Sequence, residues 1–297
     1  SIPSPTSWRR GVAGKTILLI DADTIAYRAA SACQHTVESP SGFIEPFARR
    51  WEGEAAVDSI VERLRKRLKA DEMQFFLSCP TEQNWRLSVE PTYKSNRKEL
   101  KRPLLLAVLK DYMRSEYGAQ HFAFLEADDA IGIMATLPIV GDETRIVVGR
   151  DKDFKTIPGL HYQLLDDDAN GKPIIREVTA MDAAKAHYVQ AISGDAVDGY
   201  AGCPGIGKVR AERIVDDPRR LVPKKGLIPR GKNKGEWATK WHDAGPCSIW
   251  EAVVSNYEKA GLTEADALKT ARLARILLHD EYDFETHTVK LWVPGKE

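Results

Sequence analysis

TRIVVGRDKDF, residues 144–154, is an apolar β-branched run that stops abruptly on a polar turn carrying two carboxylates, Asp151 and Asp153. A short run of this kind, bounded by a turn, reads as a strand buried on both faces. The same pattern occurs near the start, where TILLI (residues 16–20) ends at Asp21 and an Ala-rich helical stretch follows Thr24. FFL (75–77) and residues 122–125 give two further short strand expectations. Between these runs, Val57, Ile60, Val61, Leu64 and Leu68 repeat at helical spacing across residues 55–68. A basic polar connection enters another helix near Leu104, and residues 128–137 read as a third. Strands alternating with helices of this length predict an α/β fold, a mostly parallel central sheet with helices on both faces. Such sheets place their chemistry at the carboxyl ends of the strands.

After Ala180 the pattern turns helical: residues 183–192, 208–214, 248–259 and 264–278, with a Gly-, Pro- and Lys-rich loop at about 218–235 and a terminal strand at 287–293. Residues 1–14, with Pro3 and Pro5, read as a loose lead-in. The division expected is therefore a lead-in (1–14), an α/β core (15–180) and a helical region (181–297) that returns to the core.

Acidic residues gather where strands end or helices begin: Asp21; Glu126, Asp128 and Asp129; Asp151 and Asp153; Asp195 and Asp198. In EADDAIG (126–132), Glu126 and Asp129 have i, i+3 spacing and share a helical face. A helix cap accounts for one such acid; three within four residues exceed what a cap needs. In GRDKDF, an extended backbone would point Asp151 and Asp153 the same way and turn Lys152 aside, although an ordinary Asp turn also fits that motif taken alone. So many carboxylates in one cleft repel one another unless divalent cations hold them together, and oxygen-only donors suit magnesium, with manganese as the substitute, rather than zinc.

Formal net charge is zero, which on its face speaks against a polyanionic partner. The distribution does not. Lys94, Arg97, Lys98, Lys101, Arg102, Lys110 and Arg114 crowd one segment, and Lys208, Arg219, Arg220, Lys224, Lys225, Arg230, Lys232, Lys234 and Lys240 another. Basic stripes beside an acidic cleft favour contact with a phosphate backbone over a merely solvated face. In PTYKSNRK (91–98), Tyr93 could stack on a base while Lys94 and Arg97 face a phosphate. GCPGIGKVRA (202–211) resembles a helix–hairpin–helix turn, in which Gly205 and Gly207 let backbone amides approach a phosphate while Lys208 and Arg210 add charge. It also has P-loop glycine spacing, but Val209 stands where Ser or Thr must hold magnesium, and a helix precedes it.

Cys33, Cys79, Cys203 and Cys247 form no CxxC pair, and Cys33 with His35 lacks a second ligand pair for zinc, so reduced thiols in a cytoplasmic setting are expected. No Ser/His/Asp or HExxH arrangement involves the seven histidines. No apolar run is long enough to span a bilayer, and the first residues lack a signal-peptide pattern.

Taken in order, LLIDAD, YKSNRK, EADDAIG, GRDKDF and GDAVDGYAGCPGIGKVRA resemble the flap endonuclease and 5′→3′ exonuclease family. NWR, DKDFKTIPG, GKNKG and ARLARIL bring the likeness closest to the 5′→3′ exonucleases of T-odd short-tailed bacteriophages, over about residues 15–293. The resemblance implies a PIN-like nuclease domain with a basic arch at about 84–118, a helix–three-turn–helix module, and two divalent ions. Asp21, Glu126, Asp128 and Asp129 match the family's first acidic cluster; Asp151, Asp153, Asp195 and Asp198 match the second. Lys94 and Arg97 match the basic residues under the arch, with Tyr93 beside the reacting nucleotide and Lys98, Lys101 and Arg102 along the DNA. Asp23 has no firm family role, and a place behind the ligands is expected for it. One departure stands out: where the family carries an Asp after the second strand, this chain has Thr81, with Glu82 beside it as the candidate replacement. The function implied is metal-dependent hydrolysis of duplex, flap or RNA-primed DNA from a free or overhanging 5′ end, in the bacterial host cytoplasm alongside phage replication proteins. The rival readings are a structure-specific DNA-binding protein with little catalysis, which the change at Thr81 would permit, and a small-molecule phosphatase, which the basic stripes disfavour.

Overall fold

The computed structural model describes residues 14–38, 40, 42–97, 101–168, 170–227 and 236–295. Lys98, Arg230, Lys232, Lys234 and the lead-in up to residue 13 lie outside the described residues.

Strand β1 (Lys15–Asp21) sits inside the sheet because its side chains are apolar on both faces. Leu18 and Ile20 pack against helices α1 (Ala22–Ala32), α2 (Arg50–Leu68) and α3 (Leu106–Tyr117). Ile17 and Leu19 pack against α4 (Ala127–Thr136) on the other side. Each such side chain contributes about 1.5–3 kcal/mol by leaving water. An exposed hairpin, β2 (His35–Glu38) with β3 (Ile44–Phe47), joins α1 to α2. The sheet order is β4 (Glu72–Phe76), β1, β5 (Glu143–Gly149), β6 (Gly159–Asp167), β7 (Pro173–Val178). The first four strands are parallel and β7 is an antiparallel edge. Ile20 lies opposite Val148, and Asp21 opposite Phe76, so the strands finish nearly flush and their exits share one edge.

The helical region follows: α5 (Ala180–Ser193), the short pair β8 (Gly194–Asp195) and β9 (Tyr200–Ala201), α6 (Lys208–Asp216), an antiparallel ribbon of β10 (Arg219–Leu227) and β11 (Trp237–Pro246), then α7 (Ile249–Lys259) and α8 (Glu264–Ala274). Its core gathers Ile192, Cys203, Ile206, Val215, Val253 and Tyr257. A last small pair, β12 (Tyr282–Asp283) with β13 (Thr288–Val289), closes the chain. Beyond α8 the backbone extends and inserts Ile276 and Leu277 against α4. Gly132 permits that approach: a Cβ there would lie 2.5 Å from the Leu277 carbonyl oxygen.

Several local expectations change. Residues 122–125 form a turn, not a strand, with Phe124 at φ 66°; Phe122 and Leu125 are apolar because they pack into clusters beneath the sheet edge. Helix α8 ends at Ala274 rather than residue 278, since Arg275 is already extended (ψ 120°). The loop expected at 218–235 is in its described part strand β10. Pro223 and Gly226 fit there because each strand of a two-stranded ribbon has a free edge, where a missing amide costs little. The terminal strand shrinks to two residues.

His187 is fully buried on α5, with Nε2 2.8 Å from the Ala271 carbonyl oxygen and its ring edge-on to Trp292 at 4.9 Å. Burial, reinforced by Arg275, pulls its pKa down to about 3. The imidazole is therefore neutral in the fold but takes up a proton below its ordinary value once unfolded. Between those two values the unfolded chain binds more protons, so stability falls as pH drops. Lowering pH from 6.5 to 5 should cost wild type roughly 2 kcal/mol more than His187→Leu. Urea titrations of both proteins across that range check this; parallel stability curves would show that the ring is charged in the fold.

Candidate active site

Asp21 ends β1 and caps α1, with Oδ1 accepting the Thr24 amide at 3.1 Å and Oδ2 the Thr24 hydroxyl. A strand exit and a helix cap coincide there, which fixes a buried carboxylate at the carboxyl edge of the sheet. Burial, together with Asp23 and Asp151, pushes its pKa up to about 7. Asp23 behind it accepts the Ser78 amide at 2.9 Å and pairs with Lys110 at 2.7 Å.

Asp151 stands at the exit of the neighbouring strand β5. The backbone does not stay extended, as the sequence suggested, but winds into a 3-10 turn over Lys152–Thr156 that Asp151 caps through the Asp153 amide at 2.8 Å. The carboxylates still reach common surroundings. Burial raises the pKa of Asp153 to about 7, and the charge of Asp151 adds to it, with smaller additions from Asp195 and Asp198. Asp128, in the first turn of α4, is pushed well above the usual range by burial and then by Asp151 and Asp21. Asp151 therefore stands within the field of both acidic groups. Gln190 of α5 holds Asp153 through an amide hydrogen bond. Asp195 is buried and pairs with Lys152 at 2.8 Å; burial would raise its pKa, but Lys152 and the Val197 amide hold it below the usual range.

Tyr93 and Lys94 join the two groups. Tyr93 Oη lies 3.1 Å from Glu126 Oε2 and 3.0 Å from Asp198 Oδ2. Lys94 Nζ pairs with Glu126 and stands 3.5 Å from Asp198, while its amide donates to the Asp198 carbonyl at 3.0 Å. Burial would raise the pKa of Glu126, yet Lys94 and Arg86 hold it at about 2. Tyr93 is only 3% exposed and packs on Tyr200 at 6.4 Å between centroids. This corrects the expectation of a base-stacking platform: the ring is a buried strut whose hydroxyl faces the acids.

A second correction concerns Asp129. It is 0% exposed, and its oxygens receive Arg86 Nη1 at 2.7 Å, Arg86 Nη2 at 2.9 Å, Trp85 Nε1 at 3.0 Å and the Leu277 amide at 3.2 Å. With its lone pairs engaged, it anchors α4 and is not placed to hold a metal. Arg86 also donates to the carbonyls of Leu273 and Arg275. NWR is part of the family resemblance, but nothing in it assigns Arg86 a role; an Arg beside Trp with no other charge within three residues on either side is the local signal.

Among the described residues, no three acidic, His or Cys side chains are arranged as they stand to hold one ion. Lys94, Lys152 and Gln190 occupy oxygens that a cation would take. The donor chemistry nevertheless fits divalent ions: the donors are oxygens only, and Asp21, Asp128 and Asp153 carry protonation raised by burial and mutual repulsion, which a cation would relieve.

Other expected residues lie further out. Arg97 closes a 3-10 turn, Ser95–Arg97, and Lys101 and Arg102 are exposed ahead of α3. Gly205 has φ +73° and Gly207 caps α6, leaving Lys208 and Arg210 exposed in its first turn. Glu82 is exposed on the turn Thr81–Gln83 with no hydrogen bond or ion pair to the acids among the described residues. All four cysteines are free thiols, and among the described residues no helix is long and apolar enough to cross a membrane.

The chain matches no protein-family model. It is 32% identical over 296 residues to the exodeoxyribonuclease of Enterobacteria phage T3, covering 96% of this chain and 95% of that protein. It is equally 32% identical over 294 residues to the exonuclease of Escherichia phage T7, covering 96% of each. Among solved structures, a phage T5 protein co-crystallised with metal ions superposes with a TM-score of 0.52 at 15% identity, over 88% of this chain and 90% of that one, a likeness of fold. The sequence is thus matched along nearly the whole length of two phage enzymes, and the chain belongs to their exonuclease family.

Proposed function

We propose that this chain is a divalent-metal-dependent 5′→3′ exonuclease and structure-specific 5′ nuclease that hydrolyses phosphodiester bonds of duplex, flap or RNA-primed DNA. One observation carries the reading: Tyr93 and Lys94 bridge Glu126 and Asp198, so two acidic groups distant in sequence share one edge of a cleft. Asp21, Glu126, Asp128 and Asp151 would hold one magnesium ion, and Asp153, Asp195 and Asp198 the other, with manganese as the substitute. Such ions, when bound, lower the pKa of water and stabilise the leaving oxygen.

The protein's own groups do the rest. Lys94 supplies a cation at the cleft where charge develops on the phosphoryl oxygens, and Arg97 stands three residues on to add to it. Asp129 and Arg86 fix the first turn of α4, and with it Glu126 and Asp128. The Gly205–Gly207 turn, with Lys208 and Arg210, grips duplex backbone without reading sequence, while Lys101 and Arg102 line the approach of the 5′ end. RNA–DNA hybrids, phage replication partners and the host cytoplasm belong to the same reading.

The decisive assay uses end-labelled duplex, flap and hybrid substrates, each with magnesium and with EDTA. Magnesium-dependent release of 5′-terminal products is expected. Tight DNA binding with no magnesium-dependent cleavage would instead favour a binding protein, the reading that the change at Thr81 would permit. Lys94→Ala should slow single-turnover cleavage by at least roughly tenfold, about 1.4 kcal/mol of barrier. An unchanged rate would remove Lys94 from the reaction.

A further inference from the structure

The β10–β11 ribbon has two unlike faces. The register, regular from Leu221 to Leu227 and shifted between Arg219 and Leu221, sets Val222 and Lys224 of β10 opposite His242 and Lys240 of β11, and alternation along β10 puts Arg220 on the same side. Lys224 lies directly opposite Lys240. Two like charges in facing positions destabilise a sheet unless a counter-charge arrives, and neither lysine makes an ion pair among the described residues. The ribbon's own carboxylate, Asp243, is on the other face and is engaged by Arg219 at 2.6 Å. On the basic side, the nearest carboxylate is Glu251, 3.9 Å from Arg220 at the ribbon's root. Arg220, Lys224, Lys240 and His242 are all exposed, so this face presents positive charge from its root to the middle of the ribbon.

Its position gives the positive charge a direction. The ribbon leaves the C-terminal end of α6, whose first turn carries Lys208 and Arg210. Nine helical residues span about 13 Å, and a nine-residue strand adds up to about 30 Å, a reach comparable to one turn of duplex, about 34 Å.

We propose that the Arg220–Lys224–Lys240–His242 face of the ribbon is a second contact for duplex backbone, engaging it away from the cleavage cleft and without regard to sequence. This rests on the reading of the chain as a nuclease. The contact is electrostatic and adds affinity for long duplex, leaving the chemical step alone.

The test is equilibrium binding in EDTA, with the KCl concentration varied, for duplexes of about 30 and about 10 base pairs. Each phosphate neutralised adds about 0.9 to the slope of log affinity against log salt. Lys224→Ala/Lys240→Ala should therefore lower the slope by about 1.8 on the long duplex and leave the short one unchanged. Lys224→Arg/Lys240→Arg should keep the wild-type slope. Turnover at saturating substrate should be the same in all three proteins. Superimposed slopes for wild type and the alanine variant would overturn the proposal, as would an equal loss on both duplexes, which would place these lysines at the primary grip. Because binding is read without divalent ions, a chain that binds in this way but never cleaves would refute the nuclease reading and leave the ribbon contact standing.

Discussion

Asp153→Asn is expected to lower cleavage of a labelled 5′-overhang duplex by at least about a thousandfold, roughly 4 kcal/mol of barrier, while duplex affinity in EDTA changes by less than about twofold. The substitution keeps shape and removes charge. Asp153 stands on the turn after β5, between Asp151, which accepts its amide, and Gln190, which holds its side chain from α5. Its carboxyl is raised to about 7 by burial and by Asp151, Asp195 and Asp198. A group so placed gains most from a cation, and an amide in its place cannot supply the negative charge that draws one in. Binding of duplex runs through the basic surfaces and does not need this carboxylate. Wild-type cleavage by the variant would refute a two-ion site; loss of cleavage together with loss of binding would mean that the turn itself had collapsed, which the unfolding midpoint reads separately.

The parts of the site that the sequence announced are those fixed by local pattern. TILLI before Asp21 and TRIVV before Asp151 mark strand exits because a strand buried on both faces must be apolar throughout and must end where polarity returns. Asp195 and Asp198, grouped by sequence alone, likewise fall at a strand exit, Asp195 ending β8 and Asp198 standing on the turn after it. Other features depended on contacts no local pattern encodes. Asp128 and Asp129 are adjacent and chemically alike, yet one faces the cleft acids and the other faces Arg86; only the path of the NWR segment and of residues 273–277 across α4 decides between them. Tyr93 sits in a basic, polar string that reads as surface, but its ring is covered by Tyr200 and Arg86. The ribbon β10–β11 was hidden because Pro223 and Gly226 are breakers in a central strand and harmless in a two-stranded one. In GRDKDF, the capping bond from Asp151 to the Asp153 amide outcompeted continuation of the strand, a choice open to any Asp that follows a strand.

Arg86→Met should destabilise the protein by about 3–5 kcal/mol, because it leaves the carboxylate of Asp129 buried without its counter-charge. Every donor of the guanidinium is in use: Nε and Nη2 serve the Leu273 and Arg275 carbonyls, both terminal nitrogens bind Asp129, and Nη1 also reaches Glu126 at 3.3 Å. The side chain therefore ties α4 of the nuclease core to the end of α8, and its removal unsettles both. Arg86→Met/Asp129→Ala should recover at least about 1 kcal/mol of that loss, since no ion remains stranded, although the two carbonyls stay unpaired. Urea titrations of wild type, the two single variants and the double variant give the coupling directly. The cycle also separates the two roles open to Asp129. A structural partner of Arg86 shows strong coupling in stability, and a folded Asp129→Ala protein at low temperature keeps measurable cleavage. A metal ligand would show additive stability effects and no cleavage at any temperature, and that pattern would return Asp129 to the ion-binding set.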